Sequence, residues 1–407
     1  MSKIRIRNFG PIKDGYQEND GWLDISKVTV FIGNQGSGKS TVAKLFSTMT
    51  WVEKAFNRGD IEFRDGIDAV NQIAWQGLES YLSDNSEIEY IGERYSISYK
   101  PNEQSGPIVV PINDAGYIVP KIMYVPAERN FLSTIKDAFD VSSLPGALAE
   151  FAEELKRAQF ELSGSSLELP FKNFSYEYDQ KTDSSFVTGK DYSVNLLDAS
   201  SGLQSLIPLY LVSRNLSMKI ASENDPSTAE VSANQSVRRD REISKIMADK
   251  TLTSEEKSRR AAEEFSKYHS KCFINIVEEP EQNLFPTSQR STLNSLVKFN
   301  ANKGNKLIMT THSPYLINYL TLAVKANQLL KMASGKQEEA IAKINKIVPL
   351  GSDIDADDLA IYEINESGSI IRLGNYKGIP ADDNYLNYEM GETNELFAQL
   401  LEIQQQL

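Results

Sequence analysis

The stretch Gly33-Asn34-Gln35-Gly36-Ser37-Gly38-Lys39-Ser40-Thr41 constrains this chain more than any other. It is a G-x-x-x-x-G-K-S/T loop that follows the apolar run Val28-Thr29-Val30-Phe31-Ile32 and enters Val42-Ala43-Lys44-Leu45-Phe46, so it reads as strand, loop and helix. Glycines let successive backbone N–H groups turn inward on a phosphate, and the helix behind them adds the positive end of its dipole. The pattern puts Lys39 on the β/γ-phosphates of a nucleotide and the Ser40 hydroxyl on Mg²⁺. A merely flexible Gly/Ser turn with an exposed lysine would need neither the apolar strand before it nor the helix after it.

At 407 residues the chain is long enough for a large core and two lobes, and with 40 % hydrophobic and 24 % charged residues it has the make-up of a soluble protein. A net charge of -13 argues against a surface that coats nucleic acid indiscriminately, while leaving room for a local basic groove. The single cysteine, Cys272, permits no internal disulfide. No charged-then-apolar leader opens the sequence and no apolar run is long enough to span a bilayer, so the expected location is the cytoplasm, with no membrane contact of its own.

Around the loop the pattern predicts a β-rich first lobe. Residues 4–12 alternate apolar and polar before the Gly10-Pro11 turn, and 22–25 look like their hairpin partner. Residues 51–81 read as helical and 87–118 as strand-like. An apolar strand over 121–125 ends in the polar turn Ala127-Glu128-Arg129-Asn130, and sheet proteins place ligand sites outside such carboxyl ends. Residues 131–162 read as largely helical with an interruption at 142–146, and those up to 195 as polar strands. Ser200-Ser201-Gly202 precede a helix with apolar Leu203, Leu206 and Ile207, where serines are natural N-caps. Residues 223–236 read as a polar linker. Residues 237–271 read as two charged helices joined near Leu252, with Thr253 and Glu256 as a capping box; such a pair is commonly just a solvated face.

Two more apolar strands end in chemistry. Cys272-Phe273-Ile274-Asn275-Ile276-Val277 delivers Glu278 and Glu279 ahead of Pro280-Glu281. Neighbours on a strand face opposite ways, so the two acids should divide the work: Glu278 holds Mg²⁺, directly or through water, and Glu279 polarises the attacking water. Without the phosphate loop upstream, the two acids would read simply as helix caps. Lys306-Leu307-Ile308-Met309 leads to Thr310-Thr311-His312-Ser313-Pro314, where His312, one of two histidines, can donate a hydrogen bond to a γ-phosphate. His269 lies in the charged helix and carries no assigned role.

With these residues in place the chain resembles the ABC-type ATPases of the SMC and OLD-like branch. The likeness runs through Asn8-Phe9-Gly10-Pro11-Ile12, the Walker A loop at 33–41 and Ser200-Ser201-Gly202 at the signature position. It continues with the Walker B stretch Ile276-Val277-Glu278-Glu279-Pro280-Glu281 and the switch histidine in Thr311-His312-Ser313-Pro314. Three departures stand out. Walker A reads Gly33-Asn34-Gln35-Gly36 where many relatives read Gly-Pro-Asn-Gly, the signature register rests on either Ser200 or Ser201, and the turn at 127–130 stands where a Q-loop glutamine is expected. The resemblance implies an α/β ABC-type P-loop ATPase head with a β-rich N-terminal lobe and short helical insertions. It also implies a homodimer or higher oligomer, with ATP and Mg²⁺ between the Walker motifs of one subunit and the signature of the other, and slow, switch-like hydrolysis.

Residues 203–271 separate the signature from Walker B, unlike the short spacing of transporter subunits, and 42–195 are too broken for the long coiled arms of SMC proteins. The resemblance is therefore to the compact ATPases of prokaryotic antiphage defence operons, PARIS and Septu ATPases among them. It implies control of a separately encoded effector, such as a nuclease, with a phage protein as trigger. The alternative is an SMC-like repair or recombination ATPase that clamps DNA, which the acidic charge disfavours. A module whose nucleotide is purely structural would have no use for Glu279. The run Asp353-Ile354-Asp355-Ala356-Asp357-Asp358 lacks the preceding glutamate strand that a Toprim nuclease needs and reads as a solvated loop, ahead of a closing hairpin that turns at Glu366-Ser367-Gly368. The expected organisation is a Walker A half over 1–130, a helical and strand insertion over 131–196 and the signature helix over 197–222. A linker with charged helices follows over 223–271, and a Walker B half with the switch histidine over 272–407.

Overall fold

The computed structural model describes residues 2–61, 67–101, 107–113, 117–136, 138–141, 143–171, 173–221, 233–333 and 337–406. The phosphate-loop strand Val28–Gly33 lies inside a seven-stranded sheet, between Lys306–Thr310 and Leu359–Ile364. Beyond Lys306–Thr310 come Cys272–Glu278 and then Pro120–Val125. These five strands are parallel, so Gly33, Thr310, Glu278 and Val125 end at one edge of the sheet. Ser369–Arg372 returns antiparallel beside Leu359–Ile364, which is the closing hairpin the sequence predicts.

Parallel strands covered on both faces carry continuous apolar runs, and Val28–Gly33 and Cys272–Glu278 are buried at every position. Alternation along them sorts two cores. Val28, Val30, Ile32, Val277 and Met309 meet helices Gly146–Leu162, Ser201–Ala221, Pro286–Phe299 and Pro314–Ala333. Phe31, Ile274, Ile276 and Ile308 face the opposite core, which contains the helix Lys39–Arg58 and a five-stranded antiparallel sheet. A helix placed between two sheets needs apolar residues on most sides, and Lys39–Arg58 is buried along most of its length.

In that antiparallel sheet Lys3–Arg7 pairs with Leu23–Asp24 and with Glu87–Ile91, as the alternation of residues 4–12 and 22–25 leads one to expect. A separate four-stranded sheet takes up the polar stretch from Ser166 to Asn195. The helical reading of residues 131–162 holds only in part: Ala127–Ser133 is a 3-10 segment, and the α-helix begins at Gly146. Pro145 accounts for the late start, because the residue before a proline is driven out of helical geometry. The charged pair is present as Ala233–Ala248 and Ser254–Ser266, with Thr253 and Glu256 closing the capping box. The linker expected at 223–236 falls mostly outside the described residues. In the aspartate run, Asp355 pairs with Lys331 and caps the turn Ala356–Asp358, while Asp353 accepts from Asn327 Nδ2 at 2.8 Å. Among the described residues no helix is long and apolar enough to cross a membrane.

Candidate nucleotide site

The phosphate loop is shaped by glycine geometry. Gly33 has φ +142°, and a Cβ there would stand 2.2 Å from the Ile364 carbonyl oxygen; Gly38 has φ +110°, and its Cβ would meet Ile12 Cδ1 at 2.6 Å. Asn34 braces the loop from within. Its Oδ1 accepts from the Gln35 N–H at 2.7 Å and its Nδ2 donates to Glu366 Oε1 at 2.8 Å, which ties the loop to the closing hairpin. Lys39 starts the helix, and its Nζ donates to the carbonyls of Gly33 and Asn34 at 2.9 and 2.7 Å. Burial pushes this amine down to about 8, against the pull of Glu279, Glu281 and Glu278. Ser40 and Thr41 follow in the first turn.

Glu278 ends its strand opposite Thr310. The Tyr124 hydroxyl and the Ala127 N–H, the latter at 3.0 Å, both donate to its carboxylate. Strand alternation does not aim the next acid, contrary to the sequence reading. The strand stops at Glu278, and Glu279 takes φ +43°, so a left-handed turn sets its direction. The Glu279 N–H donates to the Thr310 carbonyl at 2.9 Å, and its side chain stays 36 % exposed, with Oε1 3.6 Å from His312 Nε2. Burial first, and then the neighbouring Glu278, raise the pKa of Glu279. Burial and then the charge of Lys39 lower that of His312, so its imidazole is neutral at neutral pH.

Sequence reasoning marked the turn 127–130 and the Walker B stretch but gave no role of their own to Glu281, Tyr124 and Arg129. Glu281 is half-buried, and its Oε1 accepts from Thr311 Oγ1 at 2.8 Å and from the His312 N–H at 2.7 Å. It thereby fixes the backbone that presents His312. Arg129 is fully buried, and among the described residues it donates to carbonyl oxygens alone, those of Pro126, Glu278, Glu279 and Ser205. Glu281 had one local signal, a third acid within two residues of Glu279. The partners of Tyr124 and Arg129 lie far away in sequence, beyond any periodicity.

Ser200 and Ser201 are exposed at the start of the helix Ser201–Ala221. Gly202 packs on the turn after Glu279, where a Cβ would come within 2.8 Å of the Asn283 carbonyl oxygen, and Asn283 Nδ2 donates to Ser205 Oγ at 3.1 Å. The structure thus brings Lys39, Glu278, Glu279 and His312 together, and packs Gly202 on Asn283, while Ser200 and Ser201 stay exposed beside it. Around the strand tips Ser37 Oγ, Thr310 Oγ1 and Glu281 Oε2 are buried with no hydrogen-bond partner among the described residues, which suits a polar ligand. Among those residues no group of three or more His, Cys, Asp or Glu is arranged to hold a metal alone. The oxygen donors Ser40 and Glu278 fit Mg²⁺ that is shared with phosphates.

A family model described as an AAA ATPase domain matches residues 251–317, the segment that carries Glu278, Glu279, Glu281 and His312. Among solved structures the chain is similar to an SMC head bound to the C-winged helix domain of ScpA, with 10 % identity over 78 % of this chain and 91 % of that one and a TM-score of 0.37. It is similar to an SMC head domain from Thermotoga maritima, with 13 % identity over 78 % and 90 % and a TM-score of 0.32. A dimeric ATP-binding cassette in a post-hydrolysis state, bound to ADP and Pi, shows 13 % identity over 92 % and 100 % with a TM-score of 0.29. No curated protein matches the chain.

Proposed function

We propose that this chain, an ABC-type P-loop ATPase, uses ATP and Mg²⁺ as a slow switch between separate heads and a head-to-tail dimer. One observation carries the reading: at a single edge of the parallel sheet Lys39 stands behind the phosphate loop, and Glu279 and His312 face each other at 3.6 Å. The backbone of Gly33, Asn34, Gln35, Gly36, Ser37, Gly38, Lys39, Ser40 and Thr41 cradles the phosphates. Lys39 exchanges the carbonyls of Gly33 and Asn34 for β/γ-phosphate oxygens. Mg²⁺, when bound, offsets phosphate charge; Ser40 would hold it, and Glu278 would act on it through water, because Tyr124 and Ala127 already occupy that carboxylate.

Glu279 takes the proton of the attacking water, and its raised pKa brings its basicity nearer the working pH. Neutral His312 donates a ring N–H to the γ-phosphate, from a backbone that Glu281 holds. The site is completed by a second copy. Its exposed Ser200 and Ser201, with Gly202 at a helix N-terminus, form an anion site for the γ-phosphate.

The output we assign is control of a separately encoded effector, a nuclease being the type expected, in cytoplasmic antiphage defence with a phage protein as trigger. The charged pair Ala233–Ala248 and Ser254–Ser266 supports this assignment. It is inserted between the signature helix and the Walker B strand, and none of the residues 254–266 is buried. Docking there has a direct route to both halves of the switch. The test is to purify Glu279→Gln protein with ATP and Mg²⁺, with and without the product of the adjacent gene. A stable mixed complex is expected. ATP-driven dimers that ignore that product but retain duplex DNA would overturn effector control in favour of a DNA clamp.

A further inference from the structure

Among the described residues Arg129 is the largest fully buried side chain, and no carboxylate there forms an ion pair with it. Nη1 donates to the carbonyls of Pro126 at 3.1 Å and Glu278 at 2.7 Å, Nη2 to that of Glu279 at 2.6 Å, and Nε to that of Ser205 at 3.2 Å. A buried cation is expensive compared with an apolar side chain of the same volume, so packing alone does not call for arginine here. A planar fork of five fixed donors, however, can gather several carbonyls at once.

The carbonyls it gathers come from three places: the residue after the strand Pro120–Val125, the end of Cys272–Glu278 with the residue after it, and the second turn of the helix Ser201–Ala221. Glu279 holds a left-handed backbone that a non-glycine residue disfavours, and such a conformation persists only when its surroundings hold it. Two bonds do so. The N–H is held by Thr310 and the carbonyl by Arg129. On the helix side of the clamp Pro208 supplies no N–H to the Gln204 carbonyl one turn earlier, so the ladder is open at the residue before Ser205.

We propose that Arg129 is a positioning residue for hydrolysis: it fixes the left-handed turn that aims Glu279 and ties that turn to the helix that starts at Ser201. Movement of this helix, when Ser200 to Gly202 meet the nucleotide of a second copy, then resets Glu279. The inference rests on the ATPase reading of the site.

Arg129→Lys keeps the charge and loses the fork. The expected result is a KM for ATP and a nucleotide affinity within twofold of wild type, with kcat lower by about 10²-fold, the scale of a misplaced catalytic group. Combined with Glu279→Gln, it should add nothing further to the loss, because both changes act through one group. Unchanged kcat, or a loss that multiplies with that of Glu279→Gln, would overturn the role. Wild-type protein that binds ATP without hydrolysing it would contradict the ATPase reading instead. Should Arg129→Lys fail to fold, hydrogen exchange on the Glu279→Gln protein decides. On adding ATP and Mg²⁺, the amides of 201–206 and 279–283 should change protection together, and a change in one segment alone would overturn the coupling.

Discussion

His312 Nε2 lies 3.6 Å from Glu279 Oε1. The two residues lie just past the ends of adjacent parallel strands, and both reach the edge where Lys39 opens the helix behind the phosphate loop. The distance is longer than a hydrogen bond, so each side chain is free to address a third group between them.

Replacement of Glu279 by Gln keeps the size of the side chain and removes its basicity. Turnover should fall by about 10²–10⁴-fold while ATP binding is retained, as single-turnover assays and equilibrium binding would show. Retained turnover would reassign the base.

The raised pKa of Glu279 has a pH consequence. The carboxylate is the active form, so activity is present above the raised pKa and is lost as pH falls through it, with a midpoint above the ordinary 4.5. A pH–rate profile of kcat/KM, which reports the free enzyme, with an acid limb at or below that value would contradict this.

For Lys39 the sign is opposite. The amine, at about 8, is charged below that pH and binds phosphate in the charged form. Above it, ATP affinity should weaken by up to about tenfold per pH unit, with uptake of a proton on binding. Calorimetry in buffers of different ionisation enthalpy would show buffer-dependent heats near pH 8; equal heats would refute the linkage. Lys39→Ala should abolish binding.

Two glycines of the loop should separate in a melting experiment. A Cβ on Gly33 meets the Ile364 carbonyl oxygen at 2.2 Å, whereas one on Gly36, at φ +75°, meets nothing within 4 Å. Gly36→Ala should cost about 1–2 kcal/mol, the penalty of left-handed backbone alone. Gly33→Ala should cost more and abolish ATP binding. Equal losses would show that the contact with Ile364 does not matter.

Local patterns disclosed the strands that end at Gly33, Glu278 and Thr310, because strands buried on both faces leave long apolar runs interrupted only where the chemistry begins. They also disclosed the capping box at Thr253 and Glu256, whose partners are three residues apart. They did not disclose Arg129, whose acceptors Ser205 and Glu279 are reached only through the fold. Nor did they show that Glu281 holds the His312 backbone, or that Glu279 is aimed by a left-handed turn rather than by the strand. The absent β-carbon of Gly202 reads in the sequence as part of an anion site; the structure adds that it makes room for the backbone of Asn283.

The central claim, a nucleotide-driven pairing of heads, is tested most directly by the native mass of the Glu279→Gln protein. With ATP and Mg²⁺ the mass should double relative to the same protein with ADP, and the shift should disappear when Lys39→Ala is added. An assembly of the same mass with ATP and with ADP would contradict the account.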